Sequence, residues 1–165
     1  MSNFIIQFSL RTELYQEDIL NKRFEIGRKI YNSLVTVTQK RYKEMVKTKL
    51  YRNIKEELKS IYQSKDKINL KRKTELCKQL NEMYKQYKLN EYLFHSDVKN
   101  MQKHFKDNID SFTAQKIATN LWKAYDKLLF GKGEYVHYKK YDTFNSLEGK
   151  SNDTGIKFKE NKLIW

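Results

Sequence analysis

His95, His104, His137 and Cys77 are the residues whose types could hold a metal, and Glu56-Glu57 and Asp107 with Asp110 are the acids close enough in sequence for acid–base work. No pair among the histidines and the cysteine stands at a zinc-ligand spacing. A two-metal nuclease needs several carboxylates converging on one point, whereas these acids fall in helix-surface or helix-cap contexts. Gly149-Lys150-Ser151 has the ending of a phosphate loop but lacks the upstream glycine and the strand before it. No Gly-x-Ser-x-Gly occurs. The expectation is therefore a chain without a catalytic site, a metal or a cofactor, and not an enzyme.

The remaining chemistry is cationic. The chain has 34 basic and 20 acidic side chains in 165 residues, a formal charge of +14. A charge of that size points to a polyanionic partner. Residues 1–37 are net +1, residues 38–88 net +10 and residues 89–165 net +3, so the excess is concentrated in one stretch. There Lys40, Arg41, Lys43, Lys47, Lys49, Arg52, Lys71, Arg72 and Lys73 are the expected phosphate contacts, since lysine and arginine neutralise phosphates and release counterions. Tyr42, Tyr51, Tyr62, Tyr84 and Tyr87 are interleaved with them, able either to stack on bases or to fill a core. Tyr31 and Asn32 are candidates near a helix–sheet junction, with Tyr31 equally suited to an apolar stripe. Lys139, Lys140, Lys150 and Lys157 would serve the C-terminal end. RNA, DNA and an RNA–DNA hybrid all remain open as the ligand.

Helices must position most of these groups. From residue 16 onward, Leu20, Phe24, Gly27, Tyr31, Leu34, Thr38, Tyr42 and Met45 recur at steps of three and four, one face of a helix that should continue to about Gln63. Gly27 on that stripe implies close packing, and the β-branched run Val35-Thr36-Val37-Thr38 marks a weak point. A second helix, capped by Asp66 and running to about Tyr87, has the stripe Lys73, Cys77, Leu80, Tyr84, Tyr87, which makes Cys77 a small core residue. Lys88-Leu89-Asn90 is a break. A shorter helix capped by Ser96 or Asp97 follows, with Val98, Met101 and Phe105 inward. The next is capped by Asp110 or Ser111, has Ala114, Ala118, Leu121, Tyr125 and Leu128 on its stripe, and ends at Gly131-Lys132-Gly133.

Both ends of the chain read differently. Residues 3–11 place Phe4, Ile6, Phe8 and Leu10 on one face, the period of a strand. Ile156 and Phe158 alternate with Lys157 and Lys159, Glu160-Asn161 makes a two-residue turn, and residues 162–165 begin another strand. The fold class expected is α+β, mostly α: residues 1–15 and 132–165 forming a small antiparallel β module, with residues 16–131 as an inserted helical bundle. There is no apolar run near the ~18 residues of a membrane span and no signal peptide. With the single Cys77, this reads as a cytoplasmic, reducing setting without a membrane partner.

In their order these pieces resemble the N-terminal part of the transposon-encoded RNA-guided nucleases called TnpB, the OrfB-type transposases related to type V CRISPR effectors. Gly27-x-x-x-Tyr31-Asn32 is similar to the family's Tyr-Asn helix motif. Leu121-x-x-Ala124-Tyr125, Leu128-Leu129-Phe130-Gly131-Lys132-Gly133 and Tyr138-Lys139-Lys140 are similar to its helix, glycine loop and basic segment. Phe144-Asn145-Ser146 and Gly155-Ile156-Lys157-Phe158 resemble its following strands. The resemblance implies a wedge-like β module with a helical recognition lobe, gripping a guide-like RNA or a guide–target heteroduplex through backbone and shape. The family's nuclease half is not in the sequence, so cleavage is not implied. The chain would be a truncated piece, one half of a split gene or a stand-alone binder, with a nuclease half or a CRISPR effector as possible protein partners. The alternative to a nucleic-acid module is a regulator or inhibitor of such an effector.

Overall fold

The long stripe from Leu20 to Met45 does fold as one helix. In the computed structural model, which describes residues 7–63 and 70–165, α1 spans Leu14–Val46 and buries Gly27, Tyr31, Leu34, Thr38 and Met45 of that stripe. Gln16 reaches back to accept the Glu13 N–H at 3.0 Å, closing the first turn. The helix runs unbroken through residues 35–38, contrary to the weakness expected there. Thr38 is buried, and its hydroxyl donates to the Leu34 and Val35 carbonyls at 2.8 and 3.1 Å, which satisfies it inside the helix.

The break comes ten residues later. α2 is Lys49–Gln63, separated from α1 at Lys47 and Thr48. Thr48 Oγ1 donates to the Met45 carbonyl at 2.7 Å and accepts the Tyr51 N–H at 3.2 Å, ending one helix and capping the next. α3 is Leu70–Gln86; its expected cap Asp66 lies outside the described residues. Lys88, at φ 55°, turns the chain, and Leu89 N–H closes on the Tyr84 carbonyl at 2.7 Å. α4 is Glu91–Lys103. Its cap is Asn90, whose side chain accepts the Leu93 N–H, rather than Ser96 or Asp97, which lie inside the helix. α5 is Ser111–Leu129, capped by Asp110 and stopped by Gly131 at φ 70°.

α4 and α5 form the most extensive helix pair, and both pack on α1. Phe94 meets Trp122 and Tyr125 edge-on at 5.7 and 5.5 Å, and Tyr42 meets Tyr125 at 6.4 Å. Ile30, Leu34, Phe94, Val98, Leu121 and Tyr125 sit at the centre of this layer. Each such side chain contributes about 1.5–3 kcal/mol over an exposed position. The expected inward residues Met101 and Phe105 are only partly buried against the core.

The sheet is a single hairpin among the described residues. β1 (Lys157–Lys159) pairs antiparallel with β2 (Lys162–Ile164), Phe158 opposite Leu163. Glu160 and Asn161 make the turn, both at positive φ (51° and 57°), the geometry whose twist suits a two-residue hairpin. Of the expected first strand, residues 3–6 lie outside the described residues, and residues 7–11 belong to neither helix nor strand. They nevertheless reach the hairpin: the Phe8 ring stacks on Phe158 at 5.7 Å and 8°. The fold is mostly α with a small antiparallel sheet near the C-terminus, an α+β arrangement.

Between α5 and the hairpin the chain crosses α1. Asn32, Gln39 and Arg28 bind its backbone at Lys139 and Val136. Glu148 ties the next stretch to Lys116 and Asn120 of α5 at 3.5 and 3.3 Å. Arg23 donates to the Trp165 carbonyl at 2.7 Å and lies 4.6 Å from its ring, while Trp165 Nε1 donates to Asp110 at 3.3 Å. Burial opposes the Asp110 charge, but hydrogen bonds from Thr113, Phe112 and Trp165 outweigh it and hold the carboxyl below its ordinary pKa.

Candidate nucleic-acid interface

α2 and α3 are both basic and amphipathic, and they pack antiparallel. Arg72 grips Glu57 at 2.5 and 2.8 Å and Lys73 covers the Tyr62 ring at 4.4 Å near one end, while Tyr51 and Tyr84 interact near the other. Tyr51, Ile54 and Leu58 turn into the core from α2, and Leu76, Leu80, Met83 and Tyr84 from α3. Burial pushes the Tyr84 hydroxyl up to about 12 and raises Tyr51 further, so these rings are neutral core members.

The two helices do not close completely. A groove of about 590 Å³ runs between them. Leu58, Cys77, Leu80 and Tyr84 line its apolar part, and Lys55, Lys59, Tyr62, Gln63 and Asn81 add polar and aromatic groups. Phe130, the residue that caps the C-terminus of α5, also enters it. Tyr62 and Phe130 are 66% and 61% exposed, so much of each ring is open to a ligand, with the Lys73 ammonium already over one face of Tyr62. Cys77 is half-buried on the groove and not in the sealed core.

The residues expected to meet phosphate divide by what already holds them. Lys40, Lys43, Lys47, Lys49 and Lys71 are exposed and make no ion pair among the described residues. Lys40 and Lys43 of α1 share one stripe by their spacing, which Lys47 at the C-cap continues. Arg52 is exposed on α2, with Nη2 donating to the Lys47 carbonyl at 3.3 Å. Lys73 is half-buried over Tyr62. Arg41 is engaged by Asp97 of α4 in a two-pronged pair, and Arg72 by Glu57. Side-chain hydrogen bonding between the last two lowers the Glu57 pKa and raises that of Arg72.

The outlying candidates lie elsewhere. Tyr31 is in the core, tilted against Phe144 at 6.2 Å, with its hydroxyl pKa raised by burial. Asn32 is a clamp on Lys139. The Lys139 ammonium lies 5.7 Å from the Tyr31 ring. Lys140 is exposed, its carbonyl accepting from Thr143. Lys150 lies against α5, 3.5 Å from Gln115 and 5.6 Å from the Phe112 ring, and Lys157 is on β1 opposite Ile164. Among the histidines, His95 Nε2 lies 2.8 Å from Thr119 Oγ1, which donates to Glu91, a link between α4 and α5.

Lys55, Lys59 and Phe130 were not among the sequence candidates. The first two had a signal: Arg52, Lys55, Lys59 and Tyr62 stand at i, i+3, i+7 and i+10, one face of α2. Phe130 had none, since its place depends on where α5 ends against α2 and α3. No family model, curated protein or solved structure matches this chain.

Proposed function

We propose that this chain is a nucleic-acid-binding module without a catalytic step of its own. It would hold a sugar–phosphate backbone with the exposed lysines of the second half of α1, of α2 and of α3. The observation that carries this reading is that Lys40, Lys43, Lys47, Lys49, Lys55, Lys59 and Lys71 all lack an ion pair among the described residues, in the stretch that holds most of the excess charge. Unneutralised lysines at this density repel one another, and a phosphate strand relieves that repulsion while releasing counterions. The resemblance to the N-terminal part of TnpB-type nucleases favours RNA or a heteroduplex as the ligand, with residues 1–15 and 132–165 as the wedge-like platform and residues 16–131 as the lobe.

Binding measured against salt tests it. Four to six phosphate contacts predict a log K against log salt slope of about −3 to −5. Replacing Lys40, Lys43 and Lys47 by glutamine should flatten that slope by about two to three. A flat slope for the parent chain overturns the proposal. A second reading, a regulator acting through protein contact, is favoured by the exposed Phe8, Leu10, Leu14, Tyr15 and Ile19 around the start of α1. Capture of a CRISPR effector or a nuclease half that survives nuclease treatment would support that alternative.

A further inference from the structure

We infer that the α2–α3 groove receives an unpaired base of a single-stranded nucleic acid, with Tyr62 and Phe130 as stacking faces and Lys55, Lys59 and Lys73 on the flanking phosphates. This rests on the nucleic-acid reading above and narrows it to a strand whose bases are free to leave the stack.

Four observations converge on the site. The groove volume of about 590 Å³ is that of a small-ligand pocket and not of a packing defect. Its floor at Leu58 and Leu80 is apolar, as a flat base requires. Of the three aromatic rings on its lining, Tyr84 belongs to the core, whereas Tyr62 and Phe130 are more than half exposed although both line a concavity, so neither of these two is there to fill the core. Its rim is cationic, and Lys55 and Lys59 make no ion pair among the described residues. Lysines beside aromatic faces match the alternating chemistry of phosphate and base along one strand. A continuous duplex keeps its base faces covered and offers such rings nothing to stack on. Gln63 and Asn81 are the amides on the groove that could bond a base edge, so only a modest sequence preference is expected. The charge also argues against an unmodified apolar helix as occupant, because burying Lys55 and Lys59 under it would leave two ammoniums unpaired.

The test uses the full chain and probes of about 12 nucleotides carrying one 2-aminopurine, as single-stranded RNA, as single-stranded DNA and as the matching duplex. Binding should quench the single-strand fluorescence. Tyr62→Ala and Phe130→Ala should each weaken single-strand binding at least about fivefold, leave duplex binding within about twofold, and leave the salt slope unchanged. Phe130→Leu keeps the apolar bulk and should still lose the stacking. Lys59→Gln should weaken both ligands and flatten the slope by about one. The RNA and DNA arms show which strand is preferred. Salt-dependent binding without quenching, or aromatic variants that bind like the parent or lose single strand and duplex equally, would overturn the groove assignment while leaving the basic surface standing. Absence of salt-dependent binding to every probe removes both. Thermal melts of each variant separate loss of binding from loss of fold.

Discussion

Asn32 gives both ends of its carboxamide to one backbone residue, accepting the Lys139 N–H at 2.8 Å and donating to the Lys139 carbonyl at 2.9 Å. That is the pairing a neighbouring strand would make, supplied by a side chain. Asn152 does the same for Phe158, at 2.7 and 3.2 Å, and so occupies one edge of a hairpin that has only two strands. Asn32→Ala removes two hydrogen bonds worth about 0.5–1.5 kcal/mol each, while alanine recovers about 0.6 kcal/mol of helix propensity. A net loss of about 1 kcal/mol is expected in urea unfolding. Unchanged stability together with a lost nucleic-acid affinity would make Asn32 a ligand contact instead of a clamp. The sequence marked Asn32 as a residue of consequence without showing its partner, which stands 107 positions away. The same blindness applies to Arg41 and Arg72. Composition counts them with the free lysines, yet Asp97 and Glu57 already engage them, and only the helix packing brings those acids near.

At the scale of elements, α1 is held against the C-terminal segment by the absence of a side chain. A Cβ on Gly27 would stand 2.8 Å from the Phe144 ring and 3.0 Å from Leu147. Gly27→Val therefore has to displace both, and overpacking of this kind costs about 1–3 kcal/mol. The helix itself should survive, since valine is the better helix former. The expected outcome is faster amide exchange and proteolysis at residues 139–150 with helical circular dichroism retained. Protection there equal to that of the parent would show that the segment does not depend on this approach. Sequence periodicity anticipated close packing at Gly27 without showing that its partners are the side chains of Phe144 and Leu147. It also located the α1 stripe, the Lys88 break, the Asp110 cap and the Glu160-Asn161 turn, because each is written in local spacing or in one residue's backbone preference. It missed the break at Thr48, where the side-chain cap competes with an otherwise helical run. It also placed the weak point at residues 35–38, where burial of Val35 and Thr38 overrides β-branched propensity.

Taken whole, the molecule buries Tyr31, Tyr51, Tyr84 and Tyr125 and half-buries Tyr42. Burial raises the hydroxyl pKa of Tyr31, Tyr42 and Tyr51, and pushes Tyr84 and Tyr125 up to about 12. These residues bridge the two regions: Tyr125 and Tyr31 lie in the layer of α1, α4 and α5, and Tyr51 and Tyr84 under the groove, with Tyr42 interacting with both sets. In the unfolded chain a tyrosine ionises near pH 10. A folded-state pKa above that value means the folded chain keeps its protons longer, so the stabilisation is complete below about pH 10 and is lost as pH rises toward and past 12. Each tyrosine that ionises only on unfolding removes about 1.4 kcal/mol per pH unit in that window. Since the rings belong to one connected core, the losses should arrive together. Alkaline titration is expected to show a final tyrosinate absorbance step above pH 10, from the buried rings, that coincides with collapse of the helical signal, and Tyr125→Phe should move that final step to higher pH. Complete tyrosinate formation with the helices still intact would mean that these hydroxyls reach water in the folded chain, and that the core joining the basic arm to the rest of the molecule is not closed.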